Sequence, residues 1–134
     1  MAAPKELLRR VPLFDGLDDK SLDTLARNFT DRTFTAGTEI TSEGAGGVGF
    51  FVIGEGVAVV SVRGDERAVL GEGDYFGEVA LIDDGPRTAT VTATTDVTAY
   101  GLTSWEFRPL VEENASIAWE LLQTMARRLR AATG

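Results

Sequence analysis

The 134-residue chain has no cysteine and no histidine. Without thiols there is neither a disulfide framework nor cysteine nucleophile chemistry, and the cysteine count leaves the compartment open. Without imidazoles, histidine-built metal sites, Ser-His-Asp triads and histidine general bases are excluded. Carboxylates could still hold Mg²⁺ or Ca²⁺, or serve as acid and base. No apolar run approaches the roughly 18 residues of a membrane span, and the opening MAAPKELLRR lacks the apolar stretch of a signal peptide. Cytoplasm is the default expectation. Cations are scarce as well: 13 Lys and Arg stand against 21 Asp and Glu, a net charge of −8. That balance opposes non-specific nucleic-acid binding, which scales with basic contacts to phosphate. An enzyme and a free-standing DNA reader are both disfavoured.

What remains is ordinary for a globular chain: 43% hydrophobic, 25% charged, mean hydropathy −0.02. The length suits one domain with a real core, and three zones are expected within it. Residues 1–32 read as helical: Leu7, Leu8 and Val11 form a short stripe that Pro12 ends, and Asp18 or Asp19 caps a second helix carrying Leu22, Leu25, Ala26 and Phe29. Residues 33–103 change texture, holding twelve of the 15 glycines between Gly37 and Gly85. Short β-rich runs at 34–40, 48–53, 57–62, 66–70, 88–93 and 97–102 alternate with Gly-rich turns. The expected fold is mainly β with flanking helices: a jelly-roll (double-stranded β-helix) barrel rather than βαβ units. GAGG at 44–47 has no helix behind it and no following Lys-Ser/Thr, so it is read as a turn and not as a P-loop. Residues 104–132 are helical again. Ser104 is the expected cap of a short helix that tolerates Pro109 only near its first turn, and Asn114 the cap of a longer one. Along that helix Ile117, Leu121, Leu122, Met125, Ala126 and Leu129 form one stripe. Arg127, Arg128 and Arg130 suit its C-terminal dipole. Trp105 and Trp119 are read as packing residues.

One segment carries chemistry. From Ala68 to Phe107 there are seven carboxylates and a single cation, Arg87, within FGEVALIDDGPRTATVTA. Gly77 permits close backbone approach, and the helical turn after it presents free N–H groups of the kind that hold phosphate. Ten residues on, Arg87 brings a planar fork that grips two phosphate oxygens. Glu78 would be repelled by a phosphate and suits sugar hydroxyls instead. Phosphate plus sugar describes a nucleotide. The bland alternative is a surface bridge from Arg87 to Asp83 or Asp84.

GDYFGEVALIDDGPRTATVTA (73–93) closely resembles the phosphate-binding cassette of cyclic nucleotide-binding domains, as in protein kinase A regulatory subunits, cyclic-nucleotide-gated channels and the bacterial catabolite activator protein. Phe76, Gly77, Glu78, Ala80, Leu81, Arg87, Ala89, Val91 and Ala93 fill every fixed position of its pattern, F-G-E-x-A-L then R-x-A-x-V-x-A. LLRRVPLFDGLDDKSLDTLA, AGTEITSEGAGGVGFFVIGEGVAVV and TMARRL also resemble the family's N-terminal helical segment, first hairpins and C-terminal helix. The resemblance implies one regulatory domain over 1–134 that signals through its C-terminal helix. Glu78 would accept from the ribose 2′-hydroxyl. Arg87 would pair with the cyclic phosphate, aided by the Ala80 and Ala89 N–H groups and the Thr88 hydroxyl. Gly77 would supply the backbone approach, and Phe76 and Leu81 would wall the pocket. Arg128 is a further candidate for phosphate or base contact. The implied ligand is cAMP, or cGMP, since Thr88 suits either. No metal, other cofactor, membrane or nucleic acid is implied, and the expected effector is a protein. Two features depart from the pattern. Ala132 and Thr133 stand where the catabolite-activator branch reaches adenine with polar residues, and that branch's helix-turn-helix domain is not in this sequence. The chain is therefore expected to be a sensor with a separate effector or a module of something larger. Two alternatives stay in view: an interaction domain that keeps the fold without the ligand, and an enzyme of the related cupin architecture. The intact Glu78–Arg87 pair opposes the first, and the lack of histidine opposes the second.

Overall fold

The computed structural model describes residues 3–42, 44, 49–77, 81 and 89–133. The chain begins with helix α1 (Lys5–Arg9), a 3-10 turn at Pro12–Phe14 and helix α2 (Asp19–Arg27). Asp18 starts α2, its carboxylate accepting from the Ser21 N–H at 2.8 Å. That bond holds the Asp18 carboxyl below the usual carboxylate range. The apolar faces of both helices are buried, with Leu8, Val11, Phe14, Leu22 and Leu25 fully covered.

Among the described residues eight strands follow: β1 (Thr30–Phe34), β2 (Glu39–Thr41), β3 (Phe50–Glu55), β4 (Ala58–Val62), β5 (Asp65–Leu70), β6 (Tyr75–Phe76), β7 (Thr90–Ala93) and β8 (Val97–Leu102). They form two four-stranded antiparallel sheets, ordered β1-β8-β3-β6 and β2-β7-β4-β5. The expected jelly-roll architecture is therefore present as two facing sheets; among the described residues no ladder closes them into a continuous barrel. Expected and observed strands differ at the start. The run expected at 34–40 is two strands, because the Thr38 N–H turns back onto the Thr35 carbonyl (3.1 Å) and the Asp96 carboxylate takes the Ala36 N–H (2.9 Å). β1 begins at Thr30, so the helical zone ends earlier than residue 32.

Strand β3 is covered on both faces, and its alternation divides the core. Phe50 and Val52 join the N-terminal helices in one cluster. Phe51 and Ile53 join Ala58, Val91, Val97 and Ala99 in a second cluster between the sheets. Phe50 takes Phe14 and Phe29 edge-on at 5.5 and 6.0 Å between ring centres.

Helices α3 (Ser104–Glu113) and α4 (Ala115–Thr133) end the chain. The cap of α3 is Thr103, not Ser104. Its hydroxyl accepts from the Glu106 N–H, while Glu106 accepts from the Thr103 N–H at 3.0 Å, a reciprocal box. Pro109 sits inside α3 rather than in its first turn, which removes the helical donor for the Trp105 carbonyl. Asn114 closes α3, its side-chain amide donating to the Leu110 carbonyl at 2.7 Å. The single apolar stripe expected on α4 is in fact two edges: Ile117 and Leu121 are buried, while Leu122, Met125 and Leu129 are exposed. Trp105 and Trp119 are exposed rather than packed. Among the described residues no helix is long and apolar enough to cross a membrane.

Candidate functional site

The cassette leaves the first sheet at β6. A tight turn precedes it: Gly73 N–H donates to the Ile53 carbonyl, Ile53 N–H to the Asp74 carbonyl, and Gly71 N–H to the Asp74 carboxylate, each at 2.8 Å. Those bonds fix the register Val52↔Tyr75 and Phe51↔Phe76. Phe76 stacks on Phe51 at 5.4 Å, and Phe34 meets the same ring edge-on at 5.8 Å. Phe76 thus belongs to the inter-sheet cluster. The next residue, Gly77, turns left-handed with φ 84°, a conformation a side chain there would resist.

Four residues later the chain is in a different core. Leu81 is buried, 4% exposed, in the helical cluster with Phe107, Leu110, Ile117 and Leu121. The cassette returns through the half-buried Ala89 into β7, where Val91 and Ala93 are buried between the sheets. Phe76, Gly77, Leu81 and Ala89 are therefore placed as a path from one core to the other and back. Glu78, Ala80, Arg87 and Thr88 lie outside the described residues. Arg128 is exposed on the last turns of α4.

Two cavities flank this path. One, about 610 Å³, lies between α3 and α4, walled by Trp105, Phe107, Val111, Leu122 and Met125 together with Leu81 of the cassette. The other, about 330 Å³, continues the inter-sheet cluster past Phe34, Ile40 and Phe51, with Arg32, Thr103 and Trp105 at its rim. Both volumes fall in the range of small-molecule sites. The first matters more here, because it places empty space beside a cassette side chain, Leu81, that is buried in the helical cluster.

Sequence reasoning missed two features around this cavity. Trp105 lines both cavities, and its isolation among polar residues gave no hint of that. The attachment of α4 to the N-terminal segment was also missed. Gly16 lies so close to α4 that an added Cβ would stand 2.6 Å from Thr124 Oγ1 and 2.9 Å from Arg127 Nη2. Arg127 donates to Thr124 Oγ1 at 3.0 Å and lies 3.5 Å from the Asp15 carboxylate, and the Asp18 N–H donates to Glu120 at 3.2 Å. The available signal was Thr124, a polar residue in helical register with Ile117 and Leu121, which the structure buries to 2% exposure.

The chain's similarity to known proteins agrees with this geometry. Residues 31–114 match the model of the cyclic nucleotide-binding domain. A cAMP-dependent protein kinase regulatory subunit from Yarrowia lipolytica is 41% identical over 90 residues, 66% of this chain and 24% of that protein. A CRP-like cAMP-activated global transcriptional regulator from Mycobacterium tuberculosis is 28% identical over 130 residues, 93% of this chain and 58% of that protein. The chain thus spans between about a quarter and just over half the length of these two curated relatives. Among solved structures, the N-terminal domain of a transcriptional regulator from Streptomyces coelicolor superposes with a TM-score of 0.88 at 35% identity, covering 94% of each chain. The family match spans both sheets, the cassette and α3. The chain belongs to the cyclic nucleotide-binding domain family.

Proposed function

We propose that this chain is a cAMP sensor whose occupied pocket is reported by the α3–α4 pair to a protein effector, without catalysis of its own. The observation that carries the reading is the position of Leu81. Leu81 comes only four positions after Gly77, where the family's phosphate-holding turn begins, and its side chain is buried among the helices. A phosphate that reorders the N–H groups of that turn must move or hold Leu81. Leu81 borders a cavity into which α3 and α4 can settle. In this reading Arg87 pairs with the cyclic phosphate, with the Ala80 and Ala89 N–H groups and the Thr88 hydroxyl beside it. Glu78 accepts from the ribose 2′-hydroxyl, while Gly77, Phe76 and Leu81 shape the wall. Arg128, on the last turns of α4, reaches the nucleotide in this reading only if the helix closes. The whole chain acts as one sensing unit. The choice of cAMP is supported by the names of the two curated relatives.

Titration calorimetry with cAMP and cGMP tests the reading. At a hundredfold excess over its dissociation constant, cAMP should stabilise the chain by about 2.7 kcal/mol. Arg87→Leu leaves a desolvated phosphate unpaired and should weaken binding by about 2–5 kcal/mol. Glu78→Gln should lose roughly 1.5–3 kcal/mol with cAMP and little with the 2′-deoxy ligand. Absence of heat and of thermal shift with both nucleotides at millimolar concentration refutes the sensor reading. Tighter binding of cGMP would reassign the base.

A further inference from the structure

Strand β1 is an edge strand, and it carries a charge on its inner face. Alternate residues of a strand share a face. Phe34 packs against the cluster between the sheets, so Arg32, two positions before it, is on the side turned toward the second sheet. Among the described residues the Arg32 guanidinium makes no ion pair. An inward charge can guard an edge strand against unwanted pairing. That task needs no cavity, yet Arg32 stands at the rim of one.

This is the smaller cavity, of about 330 Å³, and its floor is apolar: Phe34, Ile40, Phe51 and Leu102. Phe51 reaches across β8 because position 101 is glycine, where a Cβ would stand 2.8 Å from its ring. The rim carries two opposite charges, Arg32 from β1 and Glu106 from α3, together with the exposed indole of Trp105. The two charges do not pair with each other. Glu106 accepts the Thr103 N–H at 3.0 Å and the Thr103 hydroxyl at 2.7 Å, both on Oε1. Among the described residues its Oε2 has no partner.

Two unlike charges above an apolar floor select a ligand. A simple anion on Arg32 would be repelled by Glu106, and a simple cation on Glu106 by Arg32. A molecule carrying both charges and an apolar group meets neither repulsion. We propose that this cavity binds a free α-amino acid with a large apolar side chain. Its carboxylate lies on the Arg32 fork. Its ammonium meets Glu106 Oε2 and the Trp105 face, and its side chain lies on the aromatic floor. The volume is at the low end for small-molecule sites, which suits one amino acid rather than a peptide. The cassette is elsewhere: β1 and β6 are opposite edges of one sheet, three strand spacings or about 14 Å apart. The inference therefore does not rest on the nucleotide reading.

Amide-resolved NMR titration of the full nucleotide-free chain with L-phenylalanine tests the site. Shifts should gather at Gly101, Leu102, Thr103 and Trp105 and saturate at millimolar ligand. Arg32→Gln and Glu106→Gln each remove one charge, and glutamine at 106 can still close the box with Thr103. Each should weaken L-phenylalanine by about fivefold, the upper end for an ion pair open to solvent. Analogues separate the two charges. Phenylacetate, without the ammonium, should bind less well to Arg32→Gln and better to Glu106→Gln; phenethylamine, without the carboxylate, should do the reverse. No saturable shift at millimolar L-phenylalanine overturns the proposal, and so does an affinity that neither variant changes. Shifts centred on Val111 and Leu122 would put the ligand in the α3–α4 cavity and overturn it equally. Saturating cAMP should leave the affinity as it is. Displacement by cAMP would make the cavity part of a nucleotide pocket, and the separate site would fall.

Discussion

Shortening Leu81 to alanine tests whether the cassette speaks to the helices through that side chain. Leu81 is 4% exposed and belongs to the cluster that holds Phe107, Leu110, Ile117 and Leu121. Truncating a buried leucine costs about 2–5 kcal/mol, with the spread set by how far the site collapses. Here one side of Leu81 already borders a cavity of about 610 Å³, so fewer contacts are lost than in a closed core. The expected loss is about 2–3 kcal/mol. For a chain of this size that lowers the melting temperature by roughly 10 °C, leaving a folded protein on which binding can be measured. The informative assay is hydrogen exchange with and without cAMP. In the wild type, ligand should slow exchange in α3 and in α4 from about Leu121 onward. In Leu81→Ala, calorimetry should still detect cAMP, while the ligand-dependent slowing in the helices shrinks. If the variant binds cAMP and its helices respond as fully as the wild type, Leu81 is filler and the coupling runs elsewhere.

Other perturbations are independent of that route. Gly77→Ala forces a side chain into the left-handed region at φ 84°, which should cost about 1–2 kcal/mol in urea unfolding and, under the proposed function, weaken nucleotide binding by blocking the backbone approach at Gly77. Gly16→Ala pushes a Cβ against Thr124 and Arg127. It should destabilise by about 1–3 kcal/mol, with faster amide exchange in α4 and little change in the sheets. The acid limb of stability should include Asp18. Its carboxyl is depressed below 3.8 by the Ser21 N–H, so its contribution is present above 3.8 and fades as pH falls through the lower folded value. Asp18→Asn keeps the cap and should flatten that limb in unfolding midpoints measured between about pH 5 and 2.

Residue identity made the family legible, because Phe76–Ala93 matches the cyclic nucleotide-binding pattern position by position. The cap of α2 was legible as Asp18 or Asp19, a short acceptor ahead of an apolar stripe, and the structure selects Asp18. Features set by distance in space were not. Thr103 and Ser104 are adjacent hydroxyls, and the choice between them turns on Glu106 three residues beyond Thr103, which closes the box. On α4 the buried positions 117, 121 and 124 each lie one residue before a more open one, half-buried 118 and exposed 122 and 125. Periodicity alone therefore merged two faces into one stripe, and only the approach of Gly16 and the N-terminal segment separates them. β6 was missed because two residues, Tyr75 and Phe76, have no periodicity to read; their strand exists through pairing with β3. The roles of Glu78 and Arg87 rest on sequence and family, since both lie outside the described residues.

The way the cassette is anchored also says which part of the fold should yield when a ligand arrives. Its upstream end, Phe76, is stacked on Phe51 in a strand bonded to β3. Its downstream end enters β7, which pairs with both β2 and β4. Displacing either end breaks ladder hydrogen bonds and opens the inter-sheet cluster, so both act as fixed posts. Between them, Leu81 is held by side-chain packing in the helical cluster, against helices that border open volume. Packing that already faces a void has alternative arrangements available at small cost, whereas a close-packed core does not. Under the proposed function, a phosphate bound beside Gly77 should therefore move α3 and α4 before it moves either sheet. α4 is attached to the N-terminal segment through Gly16, Asp15 and Asp18, so that motion must either carry the N-terminal helices along or break those contacts. Weakening the attachment with Gly16→Ala should then make the helix response to cAMP larger in exchange measurements. A smaller response would mean that the N-terminal segment transmits the motion instead of resisting it.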